Sequence, residues 1–139
     1  MKKKIVLSLC LLALSVLVLA SCADIAVQQS VEKLDQLQER FEKEGYECSR
    51  WQDTDIASYA ESIVSESGVL LKGEITGMME YMYHDEAAGK YVYGVVIGTT
   101  SKADAAAVGD AYAASLEVAV TDMECTAQKY YVQIEYTLN

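Results

Sequence analysis

The chain contains no proline, one histidine, one phenylalanine and one tryptophan in 139 residues. Without proline there is no proline-rich spacer, so element boundaries must be read from apolar periodicity and glycine. A single imidazole, with no Ser or Cys in a Gly-x-Ser-x-Gly setting, leaves no recognisable nucleophilic triad. Nothing supplies a second histidine or a spaced ligand cluster for zinc, and no Cys-x-x-Cys pair marks a redox site. Positive charge is also scarce, with 11 Lys and Arg against 21 Asp and Glu and a net charge of −10. Each phosphate contact needs a cation, so this acidity argues against nucleic acid as a partner. There is no glycine-rich phosphate loop, and the carboxylates are too scattered to single out a glycosidase pair.

What is present divides sharply at Cys22. Lys2, Lys3 and Lys4 precede an apolar run from Ile5 to Ala20, interrupted only by Ser8 and Ser15. A basic start, a short apolar segment and a small-residue ending make a secretory signal, and the run falls at or below the length needed for a permanent span. Its closing Leu19-Ala20-Ser21-Cys22 resembles the lipobox of bacterial lipoproteins. That resemblance implies cleavage before Cys22, with a diacylglycerol on its thiol and an N-acyl chain as a further modification. Two or three chains hold a small domain stably on a membrane where one does not. The expected location is the extracytoplasmic face of a bacterial cell membrane, with the outer membrane as the alternative in a cell that has two. Removing residues 1–21 leaves eight basic against 21 acidic residues, the composition of an acidic globular domain over residues 22–139.

Within that domain Val27, Val31, Leu34, Leu37 and Phe41 recur at helical spacing, predicting a helix over about 24–44 that ends before Gly45. Tyr46–Trp51 is extended. Asp53, Thr54 and Asp55 offer caps to a second helix whose Ile56, Tyr59, Ala60 and Ile63 follow one face up to Gly68. Ile75–His84 and Tyr91–Thr100 read as strands of a hairpin joined by Asp85-Glu86-Ala87-Ala88-Gly89. Ser101-Lys102-Ala103-Asp104 is a capping-box variant that opens a third helix through about Leu116. Ala105, Val108, Tyr112 and Leu116 would face the sheet, with Gly109 permitting close approach. Glu117–Thr121 reads either as helix tail or as a short strand. A final strand covers Lys129–Thr137.

After the first helix the order is βαββαβ. The expected fold is α+β, a ferredoxin-like four-stranded antiparallel sheet with helices on one face. The segments Glu44-Gly45-Tyr46 and Ser101-Lys102-Ala103-Asp104-Ala105 are similar to those of small Gram-positive lipoproteins of unassigned activity, a resemblance that supports the fold and implies no chemistry.

Two cysteines, Cys48 and Cys125, remain in the domain, and an oxidising compartment suggests a disulfide between them. First and last strands are neighbours in a ferredoxin-like sheet, which would bring the two together. His84, Asp85 and Glu86 read as a polar turn rather than a metal site. Ten tyrosines stand out. Tyr81, Tyr83, Tyr91, Tyr93, Tyr130 and Tyr136, with Met79, would form a binding platform if they shared a sheet face that the first helix leaves open; otherwise they serve as core beneath helices. The functional expectation is a non-catalytic, membrane-anchored binding or envelope-accessory domain, without metal or soluble cofactor. Its partners would be an envelope protein, a peptide or a cationic ligand. The alternative is a small envelope enzyme or inhibitor whose site no linear motif reveals.

Overall fold

The computed structural model describes residues 24–116 and 120–138. The expected signal segment and Cys22 lie outside these residues. Residues 24–43 are helical (α1). Beyond them Gly45 takes a left-handed φ of 88°, a conformation that costs glycine little, and turns the chain into β1 (Glu47–Arg50). Helix α2 spans Asp53–Ser67 and stops at Gly68, also left-handed. Its N-cap is Gln52, which makes no side-chain cap bond. Asp53 and Asp55 instead lie in the first turn, where their charge favours the helix dipole. Strands β2 (Ile75–Asp85) and β3 (Lys90–Thr99) form the hairpin. The Asp85 carboxylate accepts the Ala87 and Ala88 N–H groups in the turn. Helix α3 is Lys102–Ser115, followed by β4 (Val120–Ala127) and β5 (Tyr131–Leu138).

The architecture is α+β, with a five-stranded antiparallel sheet in the order β1-β2-β3-β5-β4. Two details of the ferredoxin-like expectation are corrected. The sheet has five strands, because Val120–Ala127 pairs with β5 at the edge. Of the ambiguous segment, Val120 and Thr121 belong to that strand, while 117–119 lie outside the described residues. Much of β4 is exposed, so it lacks the apolar alternation that marks a half-buried strand. A register shift between Thr121 and Glu124, with Asp122 at a φ of 52°, interrupts the pattern further. The order also differs, since β1 pairs only with β2 and occupies the edge opposite β4.

Helices α2 and α3 lie together on one face of the sheet, as expected for the βαββαβ unit, and α1 covers the other. On one face, Leu34, Leu37 and Phe41 of α1 pack against Met79, Tyr81 and Val96. Ser30 anchors α1 further, its Oγ lying 2.6 Å from Thr76 Oγ1 and donating to the Tyr130 carbonyl at 2.8 Å. On the other face, Ile63 of α2 and Ala105 and Val108 of α3 bury Met78, Val95, Ile97, Val132 and Ile134. A Cβ on Gly109 would stand 2.6 Å from Val132 Cγ2, so the missing side chain is what lets α3 approach β5. Asp104 ties the layers together. Its backbone N–H donates to the Ser101 hydroxyl, but its buried carboxylate reaches across to accept the Lys72 and Gly73 N–H groups at 2.9 and 2.8 Å. Among the described residues no helix is long and apolar enough to cross a membrane.

Candidate functional site

The register decides where each tyrosine goes. Tyr83 pairs with Val92 and Tyr81 with Gly94, while Tyr93 pairs with Met82 and Tyr91 with His84. Side chains alternate between faces along each strand, so odd-numbered residues of β2 share a face with even-numbered residues of β3. Met79, Tyr81 and Tyr83 therefore face α1, whereas Tyr91, Tyr93 and Tyr136 lie on the α2/α3 face. The single platform of seven residues is corrected to two separate groups.

The group under α1 is core. Met79 is fully buried and Tyr81 is 3% exposed. Phe41, Tyr46, Tyr81 and Tyr83 form a chain of rings whose neighbouring centroids lie 4.2 to 6.0 Å apart. The Tyr81 hydroxyl donates to Glu135 Oε2 at 2.6 Å and accepts from Gln133 Nε2 at 2.7 Å. The Tyr83 hydroxyl donates to the other oxygen of Glu135 at 3.2 Å. Burial, followed by bonding to Glu135, pushes the Tyr81 hydroxyl far above its ordinary range. Tyr130 donates to Gln29 Oε1 of α1, which binds helix to sheet and leaves the hydroxyl engaged.

The cysteines are also kept apart. Cys48 is on β1, facing the α1 side beside Tyr81; Cys125 is on β4, facing the α3 side beside Ile134. The two edges are separated by four strand spacings, roughly 19 Å, whereas a disulfide needs Cα atoms within about 7 Å. Both thiols are free. Burial raises both thiols, reinforced by Glu42 at Cys48 and by Asp110 at Cys125; a thiol held protonated is a poor nucleophile.

His84 follows β2 to its outer end, its ring 4.8 Å from that of Tyr91. Among the described residues, no three His, Cys, Asp or Glu side chains converge as metal ligands.

Two cavities on the α2/α3 side differ in character. One, about 800 Å³, lies between α2 and Val69–Thr76 and is walled mainly by aliphatic groups such as Ile56, Ala60, Val64 and Leu71. The other, about 380 Å³, has a floor of β-strand side chains and a wall from α3. Its floor follows from the register. Glu47, Met82, Tyr93 and Tyr136 form one cross-strand row, and Ser49, Glu80, Val95 and Ile134 form the next. Tyr112 of α3 stands over these rows. The Tyr93 and Tyr136 rings lie side by side at 6.2 Å. Tyr112 meets Tyr59 of α2 edge-on at 6.3 Å, and Tyr59 in turn meets Trp51.

Glu80 is the centre of this face, contributing to the 380 Å³ cavity and to the groove beside Tyr59 and β1. Burial, then the neighbouring Tyr136 and the Glu80 carboxylate, hold the Tyr112 hydroxyl protonated well above its usual range. Burial and, more weakly, Glu80 also raise Tyr136. Burial alone pushes Tyr59 up to about 12. The groups on offer are thus protonated phenols, ring faces, a thioether and two carboxylates, a set suited to recognition. Of the expected platform, Tyr81, Tyr93 and Tyr136 line this cavity. Tyr112 was expected to face the sheet, whereas Glu80 and Glu47 were not singled out from sequence. The shared parity of Glu80 and Met82 was visible there, but the face that α3 would cover was not.

No family model matches the chain, and no curated protein and no solved structure matches it significantly.

Proposed function

We propose that the chain is a lipid-anchored extracytoplasmic domain of a bacterial envelope that binds a ligand without transforming it. The observation that carries the anchor is Leu19-Ala20-Ser21-Cys22 behind a basic, apolar leader. Diacylglycerol on Cys22, with an N-acyl chain, tethers the domain to the outward face of the membrane. The binding role is supported by the cavity over Glu80, where directional polar groups and ring faces meet in a concave setting. Its partner is an envelope protein, a peptide or a small cationic molecule, and not nucleic acid.

The anchor is tested by labelled palmitate in a bacterial host producing the full chain. Label enters the wild-type protein and is lost in Cys22→Ser; label retained by that variant overturns the anchor. The binding role is tested by NMR of the full chain in detergent micelles against a mixed library of envelope-type sugars, peptides, amines and acids. Saturable shifts at Tyr93, Tyr112 or Tyr136 support it, and their absence with every class overturns it.

A further inference from the structure

The geometry points to an organic cation, an alkylammonium group, as the ligand of the cavity formed by Glu47, Glu80, Met82, Tyr93, Tyr112 and Tyr136. This assignment rests on the binding role above and names the chemical class that the site takes.

The first support is unpaired negative charge beside aromatic surface. The two ion pairs found among the described residues are Lys43–Glu39 and Arg50–Asp35, so Glu47 and Glu80 have no cationic partner there. Both are exposed and both line the same cavity. The second support is the nature of the other walls. Tyr93, Tyr112, Tyr136 and Met82 line the same cavity. Ring faces attract cations through their quadrupole, most strongly those that shed water easily. A hard divalent ion needs six or more oxygen ligands, and no cluster of three metal-ligating side chains exists among the described residues. A substituted ammonium fits both features at once, its methylene or methyl groups against the rings and its charge toward Glu80. The third support is size. About 380 Å³ accommodates a small head group with its first few carbons, within the lower range of ligand pockets. The acidic excess of the sequence favours cations over anions as ligands.

The test uses the full chain in detergent micelles and three probes: choline, ethanolammonium and 3,3-dimethylbutan-1-ol, the uncharged carbon isostere of choline. Aromatic NMR shifts of Tyr93, Tyr112 and Tyr136 follow each titration. Choline or ethanolammonium saturates these shifts, and the neutral alcohol binds about tenfold more weakly or less. Stronger binding of choline identifies a quaternary ligand, and stronger binding of ethanolammonium a primary one. Glu80→Gln, at an exposed position, keeps the spectrum of the fold and weakens cation binding roughly fivefold. Equal affinity for the neutral alcohol, an unchanged affinity in Glu80→Gln, or no shift with either cation overturns the assignment. Saturable shifts of the same tyrosines with a neutral sugar or an acid, in place of the amines, would overturn the cation and leave the binding role standing.

Discussion

The ring of Tyr81 on β2 rests directly on Gly94, its antiparallel partner on β3. A Cβ at Gly94 would collide with that ring at Cζ, Cε1 and the hydroxyl. Only a residue without a side chain lets the tyrosine cross β3 and reach Glu135 on β5. The two positions therefore act as one feature, three strands wide, beneath α1.

Gly94→Ala should destabilise the domain by about 1–3 kcal/mol, because the added methyl has to push a packed aromatic ring aside. Tyr81→Phe keeps the ring but leaves the Glu135 and Gln133 side chains without their shared partner, at a cost of about 1–3 kcal/mol. Urea unfolding checks both. Midpoints that match the wild type would remove the argument.

Asp104→Ala should cost more than the loss of an ordinary capping residue. The substitution removes the shared acceptor of the Lys72 and Gly73 N–H groups, and a hydrogen bond to a carboxylate contributes about 1.5–3 kcal/mol. Hydrogen exchange should localise the damage. Protection at residues 72 and 73 falls in the variant while the β2–β3 ladder retains its own.

Alkaline pH should weaken the fold. Tyr59 is raised from 10.0 to about 12 by burial, and Tyr81 and Tyr112 are raised further. Above pH 10 the unfolded chain sheds phenolic protons that the native state keeps. Stability is thus complete below that pH and declines as pH climbs through about 12. Phenolate absorbance should show native tyrosines still protonated where the urea-unfolded chain has titrated fully. Superimposed curves would contradict this burial.

Cys48 and Cys125 should both react with maleimide after unfolding without reductant, as shown by peptide mapping. A peptide pair joined through these two residues would contradict the strand order, since the edges are too distant to be bridged.

Local patterning made much of the chain readable. Ile56, Tyr59 and Ile63 in α2 and Ala105, Val108 and Gly109 in α3 were marked by helical spacing, and their burial or packing follows that face. The β2–β3 hairpin was equally clear, because both strands are long, half-buried and joined through a turn with left-handed Gly89. β4 was not legible as a full strand. Its outward residues, Asp122, Met123 and Glu124, are exposed, and an edge strand with a register shift carries little of the alternation that a core imposes.

The order of charge and hydropathy in the sequence was enough to separate a basic, apolar first segment from an acidic remainder, and its short-range periodicity was enough to outline helices and strands. These signals act between residues a few positions apart. The partner of each strand and the face taken by each helix depend on contacts between distant segments, so tertiary structure decided them. It put Cys48 and Cys125 on opposite edges, laid α1 over Tyr81, and left Glu80 among the tyrosines of the other face. A one-residue change of parity between β2 and β3 would exchange these faces, and no local pattern in either strand specifies that pairing alone.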